Sequence, residues 1–194
     1  MILPQTFYEH NTITIAKKLL ECYLVHLEGE EITLGRIVET EAYLVNDPAA
    51  HAFIGKTNRN SVLFGPVGHA YVYFIYGRYE CLNFVAEPEG QAGCVLVRAL
   101  EPVSGIPVMR QRRPAARTIE DLAAGPGRLT MAMGITRKLN GSSLITGPLA
   151  VRKLHVERAN EITVTSRIGI THCADWPLRF FITGNRFVSR TKPS

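Results

Sequence analysis

The stretch Cys94-Val95-Leu96-Val97-Arg98-Ala99-Leu100 decides the fold, because a single arginine interrupts an otherwise apolar run. Such a run, rich in β-branched residues, predicts a strand that is buried on both faces. A guanidinium in that place is desolvated and persists only if a carboxylate pairs with it. The segment Arg36-Ile37-Val38-Glu39-Thr40-Glu41-Ala42-Tyr43 predicts a second strand that carries acidic side chains. We therefore expect Arg98 to pair with this strand, either within an active site or as a structural ion pair.

The composition is that of a globular protein. A chain of 194 residues with 46% hydrophobic and 20% charged residues suits one domain over residues 1–194. Its apolar stretches are shorter than the roughly 18–20 residues that cross a bilayer, so no membrane contact is expected. The N-terminal residues lack a charged stretch followed by an apolar core and a small-residue cleavage site, so we expect no secretion signal. The net charge of +5 permits a polyanionic partner without proving one.

The cysteines give no sign of a metal site. Cys22, Cys81, Cys94 and Cys173 are scattered, without close pairs or neighbouring histidines at metal-ligand spacing. We expect four buried thiols in a reducing compartment, and therefore an intracellular, cytoplasmic protein. No motif indicates a cofactor, since the glycine-rich segment 125–128 lacks the Gly-Lys-Ser/Thr ending of a nucleotide-binding loop.

The order of elements favours an α+β domain with a curved antiparallel sheet and a protruding β-hairpin, surrounded by helices. Hairpin-linked strands outnumber helices, and the two do not alternate regularly, which argues against a doubly wound parallel sheet. Helices are predicted at 12–20, 104–112, 118–124 and after 125–127, with Asn11 or Thr12 capping the first. Strands are predicted at 23–27, 32–43, 70–75, 81–85, 94–100, 149–156, 162–166, 178–182 and 187–189.

Strand alternation places Glu39, Glu41 and Tyr43 on one face, and Tyr71 and Tyr73 on one face of the predicted hairpin. If these faces meet, a carboxylate lies beside a slot with aromatic walls. Such a slot suits a flat heteroaromatic ring, because stacking of a base on aromatic side chains is worth about 1–3 kcal/mol. From spacing alone, tyrosines that simply fill the core are the more frequent case.

Three further features are candidates for contact with a ligand. Tyr76 lies at the predicted hairpin tip, where it either inserts between base pairs or folds back on its own hairpin. The residues Gly125-Pro126-Gly127-Arg128 precede a helix whose free N–H groups could hold a phosphate, although such turns are common. His51 is in a polar loop, where a lone histidine is more often solvated than catalytic.

Together, these segments resemble the alkyladenine (3-methyladenine) DNA glycosylase family, and a bacterial-type member in particular. Each matching segment is modest alone, but their order and spacing are specific and extend over nearly the whole chain. The segments are Arg36-Ile-Val-Glu-Thr-Glu-Ala-Tyr43, Ala49-Ala-His51, Thr57-Asn-Arg-Asn60, Tyr71-Val-Tyr-Phe-Ile-Tyr-Gly77, Cys81-Leu-Asn83, Cys94-Val-Leu-Val-Arg-Ala-Leu-Glu-Pro102 and Gly125-Pro-Gly-Arg-Leu129.

The resemblance implies a role for each matching residue. Glu41 corresponds to the general base that activates a water to attack C1′, and Arg98 to the arginine that helps to hold this water and the carboxylate. Tyr43 and Tyr73 correspond to the aromatic walls of the base pocket, and His51 to a third wall that also hydrogen-bonds the base.

The remaining positions concern selectivity and DNA contact. Asn83 matches a pocket asparagine that disfavours the amino group of normal guanine, and Tyr76 matches the residue wedged into the minor groove. The resemblance also implies contacts with the DNA backbone. Those contacts would come from Arg59, Gly125, Gly127 and Arg128.

These assignments imply a DNA base-excision repair glycosylase. It would flip alkylated or deaminated purines out of double-stranded DNA and hydrolyse the N-glycosidic bond, without a Schiff base or strand cleavage. One-lesion chemistry requires only a monomer. Two other functions stay open from the residues alone. One is an inverting glycoside hydrolase that uses Glu39 and Glu41, and the other is a non-catalytic nucleic-acid binding module.

Overall fold

A computed structural model describes residues 1–75, 77, 79–153 and 161–189. In these residues, one antiparallel sheet carries three α-helices and several short 3₁₀ turns. The strands are β1 (Tyr23–Glu28), β2 (Glu31–Tyr43), β3 (Ala70–Ile75), β4 (Tyr79–Ala86), β5 (Gly93–Ser104), β6 (Leu149–Arg152), β7 (Ile162–Thr165) and β8 (Arg179–Ile182). The helices are α1 (Thr12–Lys18), α2 (Ile106–Arg112) and α3 (Pro126–Met133). The predicted α+β class with a curved antiparallel sheet is confirmed.

Strand β2 organises the sheet. The strand order is β3-β4-β5-β2-β1-β6, with β8 pairing to β2 and β7. The first half of β2 pairs with β1 and the second half with β8, while β5 follows the other edge along its length. The β2–β5 register shifts on both sides of Glu39, opposite Ala99 and next to Arg98. Such irregularities redirect side chains and are frequent beside active sites.

Strand β5 is buried as the sequence predicts. Residues 93–100 are all buried, and Arg98 itself is only 7% exposed. Helices α1 and α3 both pack against this strand. Because apolar layers cover it, β5 needs an almost continuous apolar sequence, and its arginine must find its partners inside the protein.

The helix ends follow local chemistry. The Asn11 side chain caps α1 by accepting a hydrogen bond from the Thr14 N–H at 2.9 Å. Gly125 precedes α3 with φ of 135°, a conformation that favours glycine. The helix predicted at 118–124 is wrong, since only a short 3₁₀ turn over Glu120–Leu122 forms there.

Two other predictions need correction. Residues 187–189 form a turn rather than a strand, because Ser189 bonds the Glu39 side chain instead of a neighbouring backbone. Cys22, Cys81 and Cys94 are buried as predicted, but Cys173 is half-buried. The second part of the strand predicted at 149–156 lies largely outside the described residues.

Across the described ranges, none of the helices has the length and apolar character needed to cross a membrane. No group of three or more His, Cys, Asp or Glu side chains there could hold a metal ion.

Candidate active site

The buried arginine of β5 bridges two carboxylates of β2. Arg98 Nε donates to Glu39 Oε1 at 3.2 Å, and its Nη1 lies 3.1 Å from Glu41 Oε1. Both glutamates are 0% exposed. The antiparallel β2–β5 pairing, with its two register shifts, brings these side chains together. The pairing that the sequence predicts for Arg98 is therefore present, and it involves both acids at once.

Glu41 receives two more donors besides Arg98. The Ile168 N–H donates to Oε1 at 2.8 Å, and the Tyr43 hydroxyl donates to Oε2 at 3.0 Å. Burial raises the pKa of the Glu41 carboxyl, and Arg98, the Ile168 N–H and the Tyr43 hydroxyl oppose this rise. A carboxylate with a raised pKa is a better proton acceptor near neutral pH than an exposed one.

Glu39 is enclosed by four hydrogen bonds. It accepts from Arg98 Nε, from Arg179 Nε at 2.6 Å, and from the Ser189 N–H and hydroxyl at 2.7 and 2.8 Å. The two oxygens together have about four acceptor positions. Three of these bonds reach Oε1 and one reaches Oε2, and all four come from groups that the fold places there.

A cavity of about 860 Å³ opens in front of this charged cluster. That volume is within the range of small-molecule sites. The residues on its wall include the predicted positions Tyr43, His51, Tyr73, Asn83, Arg98, Gly125, Gly127 and Arg128. All three partners of Glu41 (Tyr43, Arg98 and Ile168) also line it. Glu41 itself lies directly behind them.

Aromatic rings form one side of the cavity. The His51 and Tyr73 ring centroids are 4.2 Å apart, and those of Tyr71 and Tyr73 are 5.4 Å apart. His51 Nδ1 is 3.2 Å from the Tyr71 hydroxyl. Partial burial, and then the nearby Arg59 guanidinium, lower the pKa of His51, so its ring is neutral at neutral pH. The predicted lone loop histidine therefore lies against the hairpin tyrosines.

The loop that carries His51 is held by one side chain. Asn60 is buried, and its Nδ2 donates to the His51 and Gly55 carbonyls at 2.9 and 3.0 Å. Its Oδ1 accepts from the Thr57 N–H at 2.6 Å. An internally bonded loop holds its side chains in place without help from a ligand.

The Asn83 amide is fixed by its neighbours. Its Nδ2 donates to the Tyr71 carbonyl at 3.3 Å, and its Oδ1 is 3.8 Å from Cys94 Sγ. Burial raises the pKa of Cys94 to about 12, so this thiol keeps its proton and can donate weakly to the amide. Asn83 is thus a rigid polar group in an otherwise aromatic and apolar wall.

The predicted backbone-contacting residues occupy the rim. A Cβ at Gly127 would lie 2.8 Å from carbons of the Tyr79 ring, so glycine is needed for this close packing. Arg128 is half exposed and lies 3.4 Å from Asp121. Arg59 is outside the main cavity and donates to the Phe74 carbonyl at the end of β3 at 2.8 Å. Tyr76 lies outside the described residues.

A second buried ion pair supports the site, and the sequence analysis missed it. Arg167 and Asp47 form a two-pronged pair with fully buried side chains. The Arg167 guanidinium also donates to the Ala42 carbonyl and lies 4.7 Å from the centre of the Tyr43 ring. Because Arg167 precedes Ile168, this pair holds both the Tyr43 wall and the N–H that binds Glu41.

Of the buried charged residues that the sequence analysis missed, only one could have been recognised from its sequence context. Arg179 stands in Leu178-Arg179-Phe180-Phe181-Ile182, an apolar run interrupted by a guanidinium just as the Arg98 stretch is. Asp47 and Arg167 both lie in loops between strands, where charged residues are usually solvated. Their burial arises from contacts between segments far apart in the sequence.

Comparison with known proteins adds an independent line of information. The model of the family described as Methylpurine-DNA glycosylase matches residues 6–186. The chain belongs to this family. It is accordingly a DNA repair glycosylase, a hydrolase with DNA as its substrate.

Similar proteins occur in several organisms. The chain is 55% identical to a protein of Methanoculleus marisnigri over 98% of this chain and 100% of that protein. It is 47% identical to one of Carboxydothermus hydrogenoformans, with the same coverage of both chains. It is 45% identical to one of Koribacter versatilis, over 96% of this chain and 92% of that protein. Each of the three is named "Putative 3-methyladenine DNA glycosylase".

Proposed function

We propose that this glycosylase takes an alkylated or deaminated purine nucleotide, extruded from double-stranded DNA, into the aromatic cavity. There it hydrolyses the N-glycosidic bond with a water activated by Glu41. One observation carries the proposal. A fully buried carboxylate is held by three groups, and all three also form the wall of a ring-lined cavity. A single polypeptide suffices for this chemistry, so we propose a monomer.

The cavity suits a damaged purine. An N-alkylated purine carries positive charge and stacks well on electron-rich rings such as Tyr43 and Tyr73. His51, neutral because of its lowered pKa, can hydrogen-bond the base. The rigid Asn83 amide would disfavour the exocyclic amino group of normal guanine. Extrusion itself costs a few kcal/mol and is easier for damaged bases, which adds selectivity.

The bond-breaking step needs little from the protein beyond a positioned water and a negative charge. The water oxygen forms a bond to C1′ while the bond from C1′ to the base nitrogen breaks, and its electron pair leaves with the base. The water proton passes to Glu41. Oε2 of this carboxylate accepts a single hydrogen bond from the described residues, that of Tyr43, which leaves a position for the proton. Arg98 and the Ile168 N–H hold the other oxygen.

Glu41 also stabilises the sugar as positive charge develops on it, because its anionic charge lies close by in a water-poor site. For a neutral lesion such as hypoxanthine, the leaving base also takes up a proton as the bond breaks.

The two alternative functions fit the site less well. An inverting glycoside hydrolase would need Glu39 as a second free carboxyl group, but Arg98, Arg179 and Ser189 already hold it, and of these three only Arg98 lines the cavity. A pure binding module would make no use of the buried Glu41. Among the described residues that line the cavity there is no lysine, in keeping with hydrolysis without a Schiff base.

The rim of the cavity would face the DNA backbone. We propose that Arg59, Arg128 and the turn containing Gly125 and Gly127 contact phosphates, as the sequence resemblance implies. The wedge role of Tyr76 stays a prediction from the same resemblance. It can be tested with Tyr76→Ala, which should weaken capture of extruded lesions in duplex DNA.

The decisive experiment measures release of free base. Duplexes that each carry one 3-methyladenine, 7-methylguanine, hypoxanthine or ethenoadenine are incubated with excess protein, and free base and strand breaks are measured separately. We expect release of at least one base, with strand breaks only after alkali. Sugar polymers in parallel test the glycoside hydrolase, and duplex binding without any base release would leave only the binding module.

A further inference from the structure

Two exposed apolar side chains lie at the tip of the loop that carries His51. Phe53 is 57% exposed and Ile54 is 80% exposed. Exposure of large apolar side chains to water costs free energy, which is recovered when a partner covers them. The Asn60 side chain bonds both sides of this tip, so the pair is presented on a fixed backbone rather than on a loose one.

This tip lies at the mouth of the proposed active site. Ile54 lines a smaller cavity of about 240 Å³ together with His51, Arg59 and Tyr71. His51 and Tyr71 also line the main cavity. In addition, Arg59 donates to the Phe74 carbonyl, which ties the loop to the end of strand β3 near the hairpin tip. A duplex that delivers a nucleotide to the main cavity must therefore pass close to the loop tip.

The charge of this region fits DNA. Between Asp47 and Glu80 the sequence contains no acidic residue, while Lys56, Arg59 and Arg78 lie in the same interval. A basic segment free of carboxylates attracts a phosphate backbone. Proteins that bind the minor groove also combine cations with apolar side chains such as Phe and Ile, which insert between base steps.

We propose that Phe53 and Ile54 form a second DNA contact that packs into the minor groove beside the extruded nucleotide, while Lys56 neutralises a neighbouring phosphate. This inference rests on the proposed function, because it places the duplex over the main cavity. It assigns the loop a role of its own. The loop binds the duplex that flanks the lesion, whereas the cavity recognises the damaged base.

The test compares two pairs of exposed apolar residues. The variant Phe53→Ser/Ile54→Ser alters the loop tip. The matched control Leu27→Ser/Ile32→Ser alters a cross-strand pair of β1 and β2 with exposures of 46% and 54%, on the far side of β2 from β4 and β5. Dissociation constants are measured over a range of salt concentrations for an undamaged duplex, a hypoxanthine duplex and the matching single strand.

We expect the loop variant to bind both duplexes about tenfold more weakly than the wild type, with an unchanged salt slope, because only apolar contact is lost. Its binding to the single strand and its melting temperature should match those of the wild type. The control should bind like the wild type. Lys56→Gln should instead lower the salt slope by about one.

Equal duplex binding by the loop variant and the wild type would overturn the inference, and so would an equal loss in the control. An equal loss on the single strand would overturn the groove contact, and an unchanged salt slope in Lys56→Gln would overturn the phosphate contact. Base release by the wild type is measured on the full lesion panel. If no lesion is released, the proposed function fails, whereas release with unaltered binding by the loop variant rejects only the loop contact.

Discussion

Glu39 and Glu41 are separated by one residue of the same strand, are equally buried, and share one arginine, yet their surroundings differ. Glu39 is enclosed by Arg98, Arg179 and the N–H and hydroxyl of Ser189. Glu41 has its partners on the wall of a cavity. Burial and charge pairing are common to both acids and therefore do not distinguish them. What distinguishes Glu41 is that all three of its partners line a cavity that a substrate can fill, whereas Arg98 is the one partner of Glu39 in the described residues that does so.

The two carboxylates therefore have different physical tasks. The hydrogen bonds of Glu39 hold Arg98 Nε and join β2 to β8 and to the turn at Ser189. Arg98 can then present its Nη1 to Glu41 without having to be ordered during the reaction, and such preorganisation is a large part of electrostatic catalysis. We infer that Glu39 serves the fold and positions the arginine, and that Glu41 serves the chemistry.

The largest expected effect belongs to Glu41→Gln. This change keeps the size of the side chain and most of its hydrogen bonds but removes the proton acceptor and the negative charge. Single-turnover base release should fall by at least ~100-fold while binding to a lesion duplex persists. Unchanged release would remove Glu41 from the mechanism and with it the contrast between the two acids.

Glu39→Gln should show the opposite pattern. Loss of the charge leaves the buried Arg98 and Arg179 undercompensated, so the free energy of unfolding should fall by about 3 kcal/mol. The folded fraction should release base within about tenfold of the wild type. Chemical denaturation and single-turnover assays on the same preparation separate the two effects. A stable Glu39→Gln protein without activity would instead mean that both carboxylates take part in the reaction.

A smaller effect is expected at Arg167, which acts on Glu41 through its neighbours. Arg167→Lys keeps a cation but loses the two-pronged contact with Asp47 and the stacking on Tyr43, so we expect release to slow by about tenfold. A less firmly placed Ile168 N–H should also raise the pKa of Glu41 further. The acid limb of the pH–rate profile should then move to higher pH.

Arg186→Lys is a suitable control for this change, because Arg186 is exposed and pairs with Glu120. It should leave both the rate and the profile unaltered. Slower release with an unmoved acid limb would assign Arg167 a purely structural role.

The smallest effect is expected from Tyr43→Phe, which keeps the ring but removes the hydroxyl that donates to Glu41. That hydrogen bond favours the carboxylate, so its loss should raise the pKa of Glu41 beyond the rise that burial already produces. Since the base must be ionised, release is lost as the pH falls through this pKa. The acid limb should therefore shift to higher pH, with release at alkaline pH little changed. An unshifted limb would show that another group controls the profile.

The sequence predicted the central part of the site well. An arginine inside an apolar strand required an internal carboxylate, and the alternation along 36–43 put both candidates on one face with Tyr43. The α+β class followed from the succession of hairpins. Periodicity was less successful at 118–124 and 187–189, where bonds to distant segments determine the local structure.

Sequence pattern alone determined that Arg98 is buried and paired, because desolvation of a guanidinium is costly wherever the strand lies. It also supplied the candidates for the aromatic walls. Only the tertiary structure decided which of the two glutamates has all its partners on the cavity wall, because that depends on how β2, β5 and the distant segment of Ile168 come together. It also decided that a distant Arg167–Asp47 pair holds the wall in place, since burial of a loop charge depends on contacts that strand and helix periodicity do not encode.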